Sequence, residues 1–143
     1  LDGPFGAAWT VGSIAALAIP GVEGITYFET HGPLGLADGD RLRPAHGGFK
    51  AVADFRGAGI FRIEGVPETA AALGLNRNDR RRILLANLTA DPIELTLVPG
   101  AGFPGPFEVS SKACRSPESR IVSGRNGLEV MLAPYDVAAV DLV

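Results

Sequence analysis

The sequence predicts a mainly β protein, an antiparallel β-sandwich preceded by a helix–strand–helix segment that closes a βα repeat. Three observations carry this. Residues 4–19 are apolar on nearly every side, with Thr10 and Ser13 the interruptions in side-chain polarity, and a helix apolar all round must be buried all round. Gly24-Ile-Thr-Tyr-Phe-Glu29 is a short run with residues suited to a pleated surface, and it ends in polar residues. From Ile60 onward apolar residues recur in short bursts between turn residues, the pattern of successive antiparallel strands.

Asp2 is placed to cap the first helix, whose first turn holds Pro4, where a missing N–H costs nothing. Pro20-Gly21 stops it. Gly24–Glu29 then reads as a strand, and helix, short turn and strand form the closing half of a βα repeat, buried on both faces in parallel sheets. Residues 31–44, rich in Gly, Pro and Asp, read as a loop. Phe49, Val52, Ala53 and Arg56 fall at i, i+3, i+4 and i+7, predicting a helix over Ala45–Arg56 that Gly57 and Gly59 end. The composition changes near residues 57–60, which divides the chain into 1–58 and 59–143. Strands are predicted at Ile60–Gly65, Ala70–Leu75, Arg82–Leu88, Ile93–Val98, Phe107–Lys112, Gly127–Leu132 and Val137–Leu142. Between them, Asn76-Arg-Asn-Asp79 and Thr89-Ala-Asp-Pro92 are turns in which Asn and Asp bond the local backbone and Pro fixes φ. Gly100–Pro106 is a longer loop.

The totals exclude several classes. A net charge of -3 with 13 basic residues in 143 argues against a nucleic-acid partner. The one basic run, Arg80-Arg-Arg82, is expected to start a strand, with alternate arginines facing water. No stretch reaches the about 18–20 apolar residues of a membrane span, so no membrane partner is expected. The N-terminal run lacks the basic flank of a signal peptide. Cys114 is the single cysteine, which rules out an internal disulfide framework and a multi-cysteine metal site. It fits a reducing, cytoplasmic setting. The weight of Ala, Gly, Pro and Arg suggests a bacterial coding style. No cofactor is expected. The chain starts at Leu1 without an initiator Met, and the apolar first helix has little ahead of it to bury it, so the plainest reading is the tail of a longer protein.

The strand ending Thr26-Tyr-Phe-Glu-Thr30, the glycine-rich loop and helix, then Arg82-Ile-Leu-Leu-Ala-Asn-Leu-Thr89 and Leu132-Ala-Pro-Tyr-Asp-Val-Ala-Ala-Val-Asp-Leu142, together resemble the C-terminal part of TIM-barrel glycoside hydrolase-like proteins that carry a β-sandwich. The nearest resemblance is to the D-apionate lactonase family. It implies that the chain is the last helix–strand–helix of a (β/α)8 barrel followed by the sandwich. Residues 4–19 would be the seventh barrel helix, Ile25–Glu29 the eighth strand and Ala45–Arg56 the eighth helix. Barrel active sites lie at the C-terminal ends of the strands, which puts Glu29, Thr30 and His31 at the rim of a pocket. The resemblance further implies that the two carboxylates of glycoside cleavage sit on strands four and seven, which this sequence does not contain. The fragment alone would then be inactive and the sandwich non-catalytic, the parent being a sugar lactonase or glycoside hydrolase.

Glu29 is the leading candidate, as a hydrogen-bond partner for a sugar hydroxyl or an orienter of a catalytic group. The alternative is an internal ion pair. Thr30 and His31 add hydrogen-bonding capacity and, for the histidine, proton transfer near neutral pH, against simple exposure in a loop. His46 is expected to satisfy a cap or loop carbonyl, Trp9 to pack in a core, and Tyr27 and Phe28 to face opposite sides of their strand. Tyr135 is expected to pack inside the sandwich. Cys114 has Lys112 and Arg115 nearby, which would lower a thiol pKa, but no oxyanion-hole signature accompanies it. Asn87-Leu-Thr89 matches a glycosylation acceptor and reads better as a strand end and turn. His31 and His46 with Asp38 or Asp40 match no established metal spacing. The competing class is a self-contained sandwich that binds carbohydrate or protein. Past residue 60 its aromatics are Phe61, Phe103, Phe107 and Tyr135, with no Trp for sugar stacking.

Overall fold

The computed structural model describes residues 2–27, 29–101, 103 and 106–143. Helix α1 spans Pro4–Leu17, with Pro in its first turn and Gly3, in extended backbone, at the cap. Asp2 therefore does not cap the helix as expected. It lies one residue too early, and its carboxylate instead pairs with Arg43. Residues 22–27 carry no strand assignment, and Phe28 lies outside the described residues. The strand expected over Gly24–Glu29 is thus not formed as a ladder. A strand exists through its neighbours' hydrogen bonds, and in a parallel barrel these come from strands on both sides.

The expected loop over 31–44 contains a minimal hairpin, β1 (Ala37–Asp38) paired antiparallel with β2 (Arg41–Leu42). Helix α2 covers Pro44–Ala53, ending three residues before Arg56. Its last turn relaxes into i,i+3 bonds, with Phe55 N–H donating to Val52 at 2.9 Å and Arg56 N–H to Ala53 at 3.0 Å.

Eight strands follow: β3 (Gly59–Phe61), β4 (Ala70–Arg77), β5 (Arg80–Asn87), β6 (Ile93–Leu97), β7 (Val109–Cys114), β8 (Arg120–Ser123), β9 (Leu128–Leu132) and β10 (Val137–Leu142). They form an antiparallel five-stranded sheet, order β3-β4-β5-β10-β7, and an antiparallel three-stranded sheet, order β6-β9-β8. Seven are the strands predicted from sequence, with shifted ends. β8 was not predicted, because Ile121-Val122 is too short an apolar burst to stand out.

The five-stranded sheet is covered on both faces, so β5 splits its side chains between two cores. Ile83 and Leu85 join Leu97, Leu128, Val130, Leu132, Val140 and Leu142 between the sheets. Leu84 and Ala86 point the other way, where Leu73, Leu75 and Phe55 pack with Ala8 and Val11 of α1. This is why the Ile-Leu-Leu-Ala run is continuously apolar rather than alternating. The molecule has three layers: two helices, the five-stranded sheet and the three-stranded sheet.

Two polar knots tie the sandwich. Asn87, fully buried, shares its amide N–H groups among the carbonyls of Asp91 (2.7 Å), Leu132 (3.3 Å) and Ala133 (3.0 Å), while its oxygen accepts from Thr89 N–H at 2.9 Å. The Asn-Leu-Thr run is accordingly a strand end and turn, and its amide is shielded from modification. Asp136, also fully buried, accepts from Ser116 N–H at 3.0 Å and from Ser119 Oγ, with Arg115 at 3.4 Å. Tyr135 precedes it with φ of 53°. Its ring lies edge-on to Phe5 of α1, centroids 5.4 Å apart, so it packs against the helix layer rather than inside the sandwich.

The helix and sheet layers are joined by Arg82. Its guanidinium grips Asp141 on the neighbouring strand at 2.6 and 2.8 Å, donates to the Ala51 carbonyl at 2.9 Å and lies 4.6 Å from the centre of the Phe55 ring. The Ala51 carbonyl is one of the last four of α2, which have no partner inside the helix. A cation is favourable there, so the sheet caps a helix of the other layer. Of the basic run, Arg80 faces water and Arg82 does not, contrary to the expectation of alternate exposed arginines. The reason is Asp141, directly opposite in register. Its hydrogen bond holds the Arg82 pKa above the ordinary arginine value despite burial.

Candidate functional site

A cleft of about 250 Å³ lies between α1, residues 25–36 and α2, lined by Trp9, Ile25, Tyr27, Glu29, Thr30 and Phe49 among others. Its aromatic wall is built from three elements. Tyr27 lies edge-on to Trp9 of α1, 6.1 Å between centroids, and to Phe49 of α2 at 4.8 Å. The Tyr27 hydroxyl is hydrogen-bonded to Ser13 Oγ at 2.7 Å. Ser13 thereby explains one polar interruption of the apolar helix. The other, Thr10, returns its hydroxyl to the Gly6 carbonyl at 2.7 Å.

Trp9 is 37% exposed. It lines the cleft instead of sitting in a core, because α1 turns Ala7, Ala8 and Val11 to the sheet and α2, and leaves Trp9 on the side of Tyr27. Tyr27 and Phe28 are expected on opposite sides of their strand, and Tyr27 faces the two helices. Its partner in that expectation, Phe28, is outside the described residues.

Glu29 and Thr30 both line the cleft. The turn that follows them is tight. Gly35 N–H donates to the Gly32 carbonyl at 3.0 Å, and Leu36 and Ala37 N–H both reach the Thr30 carbonyl at 3.1 Å. Gly32 has φ of +118°, and the Glu29 carboxylate lies across it, so a Cβ there would come within 2.9 Å of Oε2. At Gly35 a Cβ would meet the His31 backbone at 2.7 Å. These two glycines let the chain reverse directly beneath the carboxylate.

His31 is exposed, bridges Ala37 through its backbone and does not line the cleft. The structure thus brings Glu29 and Thr30 together and leaves His31 outside. Leu34, Leu36, Trp9, Tyr27 and Phe49 also line the cleft and were not predicted as site residues. Phe49 and Tyr27 carried no local signal, since each reads as core in its own element. Arg43, buried at the start of α2, contacts Asp2, Asp38 and the Gly32 carbonyl, holding the loop that ends at the helix.

Elsewhere the chemistry is quiet. Burial and the nearby Asp136 carboxylate raise the Cys114 thiol pKa above 9.0, against a smaller opposing effect of Lys112. The lowering expected from Lys112 and Arg115 is therefore overturned. Arg115 is engaged by Asp136, and burial with the Asp136 charge outweighs Lys112 at the sulfur. Among the described residues no group of three or more His, Cys, Asp or Glu could hold a metal, and no helix is long and apolar enough to cross a membrane.

Comparison with known proteins places this architecture. Residues 2–57 match the family described as D-apionate lactonase, TIM barrel domain, and residues 67–140 match D-apionate lactonase, C-terminal immunoglobulin-like domain. The chain belongs to the D-apionate lactonase family. No curated protein sequence matches it. In fold it is similar to a GH30 endoxylanase from Clostridium papyrosolvens, with a TM-score of 0.72 and 11% identity over 99% of this chain and 39% of that one. A glycoside hydrolase family 30 xylanase from Clostridium acetobutylicum gives 0.69 and 11% over 99% and 40%. The chain spans about two fifths of the length of these xylanases. The fold is a TIM-barrel segment followed by an immunoglobulin-like sandwich.

Proposed function

We propose that this chain is the C-terminal part of a carbohydrate-active hydrolase that opens a sugar lactone. In this reading residues 1–58 complete a barrel, and residues 59–143 are a non-catalytic sandwich that holds the last barrel helix in place. Glu29 and Thr30 stand at the pocket rim and hydrogen-bond substrate hydroxyls, with His31 at its outer edge. The observation that carries the reading is the match of both segments, in order, to the two domains of one lactonase family, with Glu29 and Thr30 in one cleft. The support role of the sandwich draws on Arg82, which spans from Asp141 to the Ala51 carbonyl.

Lactone opening directs water to an acyl carbon, whereas glycoside cleavage needs two carboxylates flanking an anomeric carbon. Glu29 alone cannot supply such a pair. The test is to assay the full-length protein on D-apionolactone beside a panel of aryl glycosides. Lactone opening without glycoside cleavage is expected. Glycoside cleavage with no lactone opening would keep the architecture and reject the chemistry.

A further inference from the structure

A second cavity, of about 560 Å³, opens between the two sheets at the end of the sandwich away from the Asn87 knot. Three of the four aromatics beyond residue 60 converge on it. Phe61, Phe103 and Phe107 lie edge to face, with centroid separations of 5.9 and 5.4 Å. The five-stranded sheet runs on past its apolar core here. Asn76 and Arg81 are directly opposite in register on β4 and β5, on the side of the sheet that carries Ile83 and Leu85 into the core between the sheets. Both line the cavity.

Arg81 differs from Arg82 beside it. Its guanidinium carbon sits 4.5 Å from the centre of the Phe103 ring, and among the described residues no carboxylate lies within the 4.0 Å of an ion pair. A guanidinium resting on a ring keeps its N–H fork directed edgewise, the geometry that takes a carboxylate by two parallel hydrogen bonds. The Asn76 amide both donates and accepts, which suits a hydroxyl. The phenyl rings offer an apolar wall for the C–H side of a small ligand. The volume falls within the range of small-molecule sites. Glu64, a carboxylate on the lining, is 81% exposed and 3.9 Å from Arg62, also on the lining, and is not paired with Arg81.

We propose that this cavity is a second ligand site, for a small polyhydroxylated carboxylate of the sugar-acid class. Arg81 takes the carboxylate, Asn76 a hydroxyl, and Phe61 and Phe103 the apolar face. The assignment rests on this lining alone and is independent of the lactonase reading and of Glu29.

The test is calorimetric titration of the protein with D-gluconate, alongside acetate and the uncharged D-glucitol. Saturable binding of gluconate is expected, tighter than that of either comparison compound. Arg81→Gln should weaken it roughly tenfold to a hundredfold, the worth of a charge-assisted bidentate contact, and Glu29→Gln should leave it unchanged. Circular dichroism checks each variant's fold. Should Arg81→Gln not fold, Asn76→Ala decides, with a several-fold loss expected. No saturable binding, acetate binding as tightly as gluconate, or gluconate binding unchanged in the folded variant would each overturn the site. Loss in Glu29→Gln with retention in Arg81→Gln would move the ligand to the other cleft and equally refute the proposal.

Discussion

Single residues show how much of this chain's polarity is structural. Asn87 matches a modification motif in sequence, yet its side chain is fully buried and holds three carbonyls from two segments. Truncation strands those acceptors, each at about 1–3 kcal/mol. Asn87→Ala should therefore lower stability by roughly 2 kcal/mol or more in urea denaturation, and a change near zero would mean that water replaces the amide. Cys114 gives a pH prediction. Its pKa is raised from 9.0 by burial and then by Asp136, so the native state keeps the proton over a window in which the unfolded chain releases it. The stabilising contribution of the neutral thiol is present below pH 9.0 and is lost as pH rises through the higher native value. Alkylation by iodoacetamide should correspondingly rise with an inflection above pH 9.0. An inflection below that value would show an activated thiol and contradict the packing around it.

At the scale of elements, periodicity and turn chemistry made the sandwich strands legible, because β6 and β9 bury alternate residues, β4 and β5 carry continuous apolar runs, and the runs end at residues with a mechanical reason to turn. Arg120–Ser123 escaped because two apolar residues are below the length at which alternation is visible. The helices were legible in position, and their ends were not: α2 stops early where Arg82, remote in sequence, takes the Ala51 carbonyl. The same remoteness hid most of the cleft. Glu29 and Thr30 declare themselves by polarity at the end of an apolar run, whereas Tyr27, Trp9 and Phe49 become a wall only when three elements meet. β5 is the element on which both cores depend. Leu84, fully buried against the helices, should cost about 2–5 kcal/mol on change to Ala, read as a fall in urea midpoint. Arg82→Met should cost about 3–5 kcal/mol because it leaves Asp141 buried without its partner. Adding Asp141→Leu should recover part of that loss, and a double variant no better than the single would mean that the Ala51 cap, not the ion pair, dominates.

For the molecule as a whole, the helix layer is covered on one side by the five-stranded sheet and left open on the other. Phe5, Leu17, Ile19, Val22 and Leu34 are between 41% and 64% exposed, on α1 and the segments that follow it. Apolar surface on this scale marks an interaction face, and under the proposed function it is the seam with the rest of a barrel. The 143-residue chain alone should therefore self-associate and bind a hydrophobic dye, as read by sedimentation velocity and fluorescence. A dye-silent monomer would argue that this layer stands by itself. Under the proposed function Glu29 serves substrate binding. Its carboxylate lies across the Gly32 turn and Glu29 lines the cleft, and in that reading it stands where the ends of barrel strands meet substrate. The most direct measurement is kcat/KM on D-apionolactone for the full-length protein and its Glu29→Gln variant, with melting temperatures in parallel. Loss of a charged hydrogen bond to substrate should lower kcat/KM by about tenfold or more with little change in melting temperature. Kinetics that do not change in a folded variant would remove Glu29 from the site and contradict the account.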